Sequence, residues 1–210
     1  MSIRRCIILL AVSFTVFFVT AWWVKTPGYM DAEYYYATAR QLARGDGFSE
    51  PFLWNYLDNP EGLPHPSHTY WMPLTSILSA GAILLFGESF RSAQIPHLIL
   101  AVFLPLLTAT LAFRLHGDRR WAWFSGIFAI FSGFYLPYLI TTDTFTLYAW
   151  LGGGALWLTA EASRRPSMLR WLLLGVLIGL AHLTRADGLL FFLPALLGVA
   201  WAFGWLGISA

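Results

Sequence analysis

Long apolar runs, separated by short polar segments, are the feature that most constrains how this chain folds. The first run, residues 6–24, has the length that a helix needs to cross a membrane. Further apolar runs cover residues 70–86, 95–113, 121–140, 144–160, 169–184 and 189–206. The chain is 58% hydrophobic and only 11% charged, whereas soluble domains carry about a quarter charged residues. The sequence therefore predicts an all-α, polytopic membrane protein.

The run at 70–86 decides the membrane topology, because it is short for a hydrocarbon core of about 30 Å and Pro73 lies in its first turn. If this run spans, most basic residues fall outside, against the positive-inside rule. If it stays in the outer leaflet, the inner segments hold Arg4, Arg5, Arg114, Arg119, Arg120, Arg164, Arg165 and Arg170, and the short outer segments hold only Arg91 and Arg185. We therefore predict about six spanning helices.

This topology makes residues 1–210 a single membrane domain with a cytoplasmic N-terminus, placed in the cell (inner or plasma) membrane. Residues 25–94 form one large outer loop, with interfacial helices predicted at about 31–44 and 70–86. The single cysteine excludes an intramolecular disulfide framework, and the short basic clusters do not indicate a nucleic-acid partner.

Residues 29–45, directly after the first apolar run, predict a short amphipathic helix. Asp31 is a candidate N-cap, and Gly45 is a stop signal. Tyr35, Ala39 and Leu42 recur at helical spacing and form an apolar stripe. We expect this helix to lie in the membrane interface with its tyrosines at headgroup depth. Asp31 then lies just outside the bilayer, where it could serve as a catalytic group or only as a cap.

The predicted topology places other polar groups on the same outer face as Asp31. Asp143 lies between two apolar runs, where a charge needs a partner or a task; a solvated turn residue is the alternative. His65 and His68 could bind phosphate, or share a metal if the backbone turns helically, but histidines that hydrogen-bond the backbone are more common. Arg185 could hold a phosphate, or it could pair with Asp187 at the surface.

Several motifs together resemble the start of the GT-C superfamily of membrane glycosyltransferases. They are an Asp followed by tyrosines after the first span, Ala-x-x-Leu-Ala-x-Gly-Asp (residues 39–46), Pro66 with Tyr70-Trp71, Leu85-Phe86-Gly87, Arg91, the basic turn at 114–120, Asp143-x-Phe145 and Leu183-Thr184-Arg185-x-x-Gly188. The similarity is greatest to the protein O-mannosyltransferases and the bacterial aminoarabinose transferase of lipid A. It covers nearly the whole chain.

The resemblance implies that a sugar moves from a polyprenyl-phosphate donor to an acceptor hydroxyl at the outer face. It implies that Asp31 is the general base or the acceptor-orienting group, and that Asp143 supports the site or a metal. The residues expected to bind substrate or lipid phosphate are Arg185, His65, His68, Glu33 and Tyr35. A divalent metal is a possible cofactor, and the metal ligands are left unknown. The expected partners are the lipid-linked sugar, membrane lipid, and an acceptor glycan, lipid or protein.

Two other functions are compatible with the sequence. A transporter subunit would carry ionisable residues in the middle of its spans, whereas here they cluster at the predicted helix ends. A non-catalytic scaffold would keep the fold and lack the chemistry. Because family members run much longer, we expect this chain to be an N-terminal module or a truncated reading frame.

Overall fold

Helices make up almost all regular structure in the computed structural model, which describes residues 2–53 and 62–204. They are α1 (Ile3–Trp23), α2 (Met30–Arg44), α3 (Leu74–Phe86), α4 (Phe90–His116), α5 (Arg119–Ile130), α6 (Phe145–Arg164), α7 (Met168–Thr184) and α8 (Phe192–Ala202). Short 3-10 turns cover Gly133–Tyr135, Tyr138–Ile140 and Ala186–Phe191, and two-residue strands β1 (Ser49–Glu50) and β2 (His65–Pro66) pair antiparallel. The predicted all-α class is confirmed.

Two helices, α1 and α4, are long and apolar enough to cross a membrane, and a third candidate is α5 together with Gly133–Ile140, bent by 54°. Helix α3 begins only at Leu74 and is one of the shorter apolar helices, as are Met168–Thr184 and Ala186–Ala202. That 70–86 does not span remains a prediction. The chain is thus a membrane protein with two or three candidate spans among its described residues. Six crossings remain a prediction.

Residues 1–146 form one compact unit and residues 147–210 a second. In the first unit, α1 and α4 pack antiparallel. Phe17 near the end of α1 clusters with Ala101, while Leu9 near its start clusters with Ala109. The Ser13 hydroxyl donates to the Val102 carbonyl at 2.7 Å, which satisfies a buried polar group inside this apolar contact.

Helix α2 begins earlier than the sequence predicted, so the assignment of Asp31 as N-cap is wrong. The N-cap is Tyr29, whose carbonyl already accepts from the Glu33 amide at 2.9 Å. Asp31 therefore lies inside the first turn, where a carboxylate still interacts favourably with the helix dipole. The predicted end is confirmed, because Gly45 adopts a left-handed conformation at φ 89°.

The apolar stripe of α2 packs against α3 and α4. Ala39 clusters with Ala80, Ile83 and Ala93, small side chains that let the helices approach closely. Tyr34 and Tyr35 are each 2% exposed. These two tyrosines are therefore enclosed by protein, and their depth at the headgroup level remains a prediction.

In the second unit, glycines in α6 permit close packing. A Cβ built on Gly152 would lie 2.5 Å from Cζ of Phe191. Ala155 in the same helix joins a small core with Leu174, Ile178 and Ala195. A larger side chain at position 152 would displace the Phe191 ring.

Candidate functional site

Two distant segments of the first unit meet at the start of α2. The hydroxyl of Thr142 donates to the Ala32 carbonyl at 2.8 Å, and that of Thr141 donates to the Pro27 carbonyl at 3.3 Å. Both threonines are buried, at 0% and 2% exposed. These bonds hold the turn after the third candidate span against the loop that leads into α2, and they bring Asp143 close to Tyr29.

Asp143 is a buried residue whose two carboxyl oxygens both accept hydrogen bonds. It is 2% exposed. Its Oδ2 accepts from the Tyr29 hydroxyl, and its Oδ1 accepts from the Thr144 amide and, at 3.0 Å, from the Thr144 hydroxyl. Charge-assisted hydrogen bonds are the strong ones, and they offset the cost of burying the carboxylate. The solvated-turn interpretation of Asp143 is therefore wrong, because this side chain is enclosed and bonded.

Tyr29 links the two acidic residues that the sequence singled out. Burial raises the pKa of the Tyr29 phenol, and the neighbouring negative charges of Asp143 and Asp31 raise it further. The phenol therefore stays protonated and keeps donating to Asp143 at physiological pH. Because both carboxylates act on one hydroxyl, Asp31 and Asp143 lie at the same end of the first unit. No role was predicted for Tyr29, although its position two residues before Asp31 could have signalled one.

A cleft of about 720 Å³ opens beside the start of α2, a volume within the usual range for small-molecule sites. Its lining residues are Thr26, Gly28, Tyr29, Met30, Glu33, Ala37, Arg40, Pro51, Phe52 and Leu53. Glu33 and Arg40 give the wall one acidic and one basic group. Of the predicted substrate-binding residues, Glu33 lies in this wall, whereas Tyr35 is buried on another face of the helix.

Glu88 holds the basic face of α2 in place. Its carboxylate accepts from Arg40 Nε at 2.8 Å and from Arg44 at 2.5 and 2.8 Å. The hydrogen bonds from Arg44 and then Arg40 lower the pKa of Glu88 to about 2. Arg40 also lies over the Tyr36 ring, 5.7 Å from its centroid. The guanidinium at the cleft wall is thus positioned by an anion and an aromatic face.

His65 has a carboxylate partner that the sequence did not reveal. Its Nε2 lies 3.0 Å from Glu50 Oε1 and 3.2 Å from the Phe52 carbonyl, and Glu50 is only 1% exposed. The β1–β2 register puts Glu50 opposite His65. The backbone at His65 is a strand, not a helical turn. A metal shared by His65 and His68 requires a helical turn of the backbone, and the backbone at His65 does not form one.

His68 lies in an aromatic cluster instead. Its ring is 5.4 Å from Tyr34 and 6.2 Å from Tyr35 between centroids, and its Nδ1 lies 2.8 Å from the Trp71 carbonyl. Burial lowers the pKa of His68, although the Trp71 carbonyl opposes this shift. The imidazole is therefore mainly neutral at pH 7. The backbone amide of His68 also donates to the Tyr34 hydroxyl at 2.5 Å, which ties this loop to α2.

Arg185 belongs to the second unit, where it pairs locally. Its Nε lies 3.1 Å from Asp187 Oδ1, and its guanidinium lies 5.5 Å from the centroid of the Tyr148 ring. The surface-pair alternative raised from the sequence is thus observed. The side chains of Arg185 and Asp187 are 41% and 45% exposed, so the guanidinium is still accessible to solvent. A role in phosphate binding remains a prediction.

Across residues 2–53 and 62–204, no group of three or more His, Cys, Asp or Glu side chains is arranged to hold a metal ion. Asp143 already has its carboxylate oxygens engaged by Tyr29 and Thr144. These described residues therefore do not fit a metal site.

The first unit thus combines candidate membrane spans with a buried carboxylate and a cleft at the start of α2. The family model described as dolichyl-phosphate-mannose-protein mannosyltransferase matches residues 65–207, more than half of the chain, and the chain belongs to that family. The family is one of GT-C membrane glycosyltransferases, so the resemblance read from the sequence is confirmed. Asp143, Arg185, His65 and His68 lie within the match, and Asp31, Glu33 and Tyr35 precede it. Comparison with curated proteins and with solved structures found no significant match.

Proposed function

We propose that this chain transfers a sugar from a polyprenyl-phosphate donor to an acceptor hydroxyl at the membrane face where α1 ends. Family membership implies dependence on a polyprenyl-phosphate sugar. The observation that supports the proposed location of the site is the hydrogen bond between Tyr29 and Asp143. It joins the family-matched region to the acidic start of α2, beside a cleft that can take a small molecule.

Asp31 is the proposed general base. In the reaction, the acceptor oxygen forms a bond to the anomeric carbon, and its proton passes to a carboxylate within hydrogen-bond reach. The bond from that carbon to the phosphate oxygen breaks, and its electron pair leaves with the polyprenyl phosphate. Asp31 is partly exposed, which suits a group that must exchange protons. By analogy with inverting glycosidases, base and leaving group would lie on opposite faces of the sugar.

Asp143 is a positioning residue in this scheme, because its oxygens are engaged by Tyr29 and Thr144. It fixes Tyr29, and Tyr29 caps the helix that carries Asp31. Removing Asp143 would therefore reduce activity by displacing the start of α2.

Cations must stabilise the leaving phosphate as its charge develops. Arg40, in the cleft wall, is the cation best placed in the first unit, and Arg185 remains a proposed phosphate ligand in the second. Glu33 would contact sugar hydroxyls from the cleft wall. His65, His68 and Tyr35 were proposed as direct ligands, but their contacts with Glu50, Trp71 and neighbouring rings favour a supporting role.

The decisive experiment is a transfer assay on the full chain in lipid vesicles with a panel of polyprenyl-linked sugars. Because the acceptor is unidentified, the assay should follow loss of sugar from the donor and release of polyprenyl phosphate. Asp31→Asn should lower turnover by roughly 10² or more with normal expression, as expected for losing a general base. Glu33→Gln, at the cleft wall, should mainly raise KM.

Asp46→Asn is the matched control, since Asp46 is an exposed carboxylate just beyond the same helix. It should transfer sugar as the unmodified chain does. If Asp31→Asn is equally active, the base assignment is wrong. A folded chain with no turnover on any lipid-linked sugar would instead favour the scaffold.

A further inference from the structure

A second cleft, of about 660 Å³, lies at the other end of the α1–α4 pair from Asp143. Its walls come from the start of α1, the end of α4 and the start of α5, and consist of Arg5, His116, Gly117, Asp118, Arg119 and Arg120. Helix α1 has 21 residues, and a helix rises 1.5 Å per residue. The two clefts are therefore separated by about the thickness of a bilayer core, about 30 Å.

The cations of this cleft are not neutralised within the part of the chain that the structure describes. Arg5, Arg119 and Arg120 are exposed, and their guanidinium groups form no hydrogen bond or ion pair there. By contrast, Arg40 and Arg44 share Glu88. The one carboxylate of the cleft, Asp118, is engaged in capping α5, where it accepts from the Arg120 amide at 2.6 Å. The cleft thus presents excess positive charge.

Large apolar side chains flank these cations. Ile3 is 80% exposed, Leu115 is 78% exposed and Trp121 is 62% exposed. Each is within two residues of an arginine or histidine of the cleft. Cations beside exposed aliphatic and indole groups are typical of the level at which a helix leaves the hydrocarbon and meets lipid headgroups. A soluble anion would contact only the cations, whereas a lipid would also cover the apolar groups.

We propose that this cleft binds the headgroup phosphate of an anionic phospholipid, in the leaflet where α1 begins. Arginine suits this ligand because its planar guanidinium can donate two parallel hydrogen bonds to phosphate oxygens. The acyl chains would lie against Ile3, Leu115 and Trp121. This site is separate from the sugar-donor site, which lies at the other end of the same helices. It requires that α1 and α4 cross the membrane, but it does not depend on the proposed catalytic roles.

Native mass spectrometry of the purified full chain can test the proposal with phosphatidylglycerol and phosphatidylcholine as probes. The chain should retain phosphatidylglycerol in preference to phosphatidylcholine. The triple variant Arg5→Gln, Arg119→Gln, Arg120→Gln should lose at least roughly tenfold of this retention, given the attraction of each basic group for anionic lipid. The matched control is Arg164→Gln, Arg165→Gln, Arg170→Gln, which removes the same charge where α6 ends and α7 begins and should change little.

Equal loss in both triple variants, or no loss in either, would overturn the proposal. Inorganic phosphate added in excess distinguishes a soluble anion from a lipid. Phosphatidylglycerol should stay bound, and its displacement by this excess of phosphate would contradict the assignment to lipid.

A variant that increases binding keeps the test valid if the triple variant does not fold. Asp118→Asn removes the one carboxylate among the described residues that line the cleft, and asparagine caps a helix about as well as aspartate. Retention of phosphatidylglycerol should rise, by roughly fivefold for one unit of added charge. Unchanged or weaker retention in a folded Asp118→Asn chain would count against the site.

Discussion

At the end of α1 that leads into α2, Asp143 is 2% exposed and bonded by Tyr29 and Thr144, whereas Arg5, Arg119 and Arg120 at the other end are exposed. Both ends concentrate charge outside the candidate spans, as the cost of charge in hydrocarbon requires. Only the end that holds Asp143, called here the acidic end, surrounds its charge with hydrogen-bond donors from the protein. That end is built as a fixed site, and the basic end as a surface that can exchange its partners.

The largest expected contrast is in which side of the membrane each end of α4 faces. In a Cys6→Ser background, Ser89→Cys marks the start of α4 and His116→Cys marks its end. An impermeant thiol reagent should label the first in intact cells and the second only after permeabilisation, because basic segments stay in the cytoplasm.

If Ser89→Cys is labelled only after permeabilisation, 70–86 is a span, and every later loop faces the side opposite to the one predicted. Labelling of both positions from one side would show that α4 does not cross. The Cys6→Ser chain without a new cysteine is the control for background reaction.

Removing a charge should destabilise the acidic end far more than the basic end. Asp143→Ala leaves the Tyr29 hydroxyl and the Thr144 amide without their acceptor, at about 1–3 kcal/mol for each buried donor. Arg120→Ala, at the exposed end, should stay within about 0.5 kcal/mol. Thermal unfolding in detergent measures both. Similar midpoints for the two variants would mean that the buried network is not what holds Asp143.

A smaller effect is expected when only one bond of the network is removed. Tyr29→Phe keeps the ring, which packs edge-on against Tyr138 with centroids 4.9 Å apart, but leaves Asp143 Oδ2 without that donor. The expected loss is about 1.5–3 kcal/mol, as for hydrogen bonds to charged groups, with a parallel fall in transfer. Tyr70→Phe, a tyrosine that is 45% exposed, is the control. A Tyr29→Phe chain as stable as this control would remove Tyr29 as the link between Asp31 and Asp143.

The smallest expected effect is a pH dependence at the α2 surface. The pKa of Glu88 falls from 4.5 to about 2 because Arg44 and Arg40 stabilise its charged form. A lowered folded-state pKa stabilises the fold above the unfolded pKa, and this contribution is lost as pH falls from about 4.5 toward 2. Because Glu88 is exposed, the effect should be small and should weaken with salt.

Comparing Glu88→Gln with the unmodified chain over this pH range isolates that contribution. The unfolding free energies of the two chains should differ above pH 4.5 and converge near pH 2. If the difference in unfolding free energy between the two chains is the same at every pH, the Arg40–Arg44–Glu88 cluster does not contribute to stability. Arg40 would then be positioned by the Tyr36 ring alone.

Features that depend on a few neighbouring residues could be predicted from the sequence. Helix α2 ends at Gly45 because a glycine adopts the left-handed conformation easily. The short helix α3, the close packing at Gly152 and the Arg185–Asp187 pair follow from local composition and spacing in the same way. The apolar runs also determined the membrane class, since burial of apolar surface needs no particular partner.

Contacts between distant residues were decided only by the tertiary structure. Tyr29 and Asp143 are 114 positions apart, and Glu50 reaches His65 only through the β1–β2 register. The N-cap of α2 is Tyr29 and not Asp31, and the segment ending at Asp143 binds both the loop before α2 and its first turn. Sequence spacing carries no information on such pairs, since the chain between them can fold back in many ways. Which carboxylate is buried, and which lies beside a cleft, therefore depended on how the helices pack.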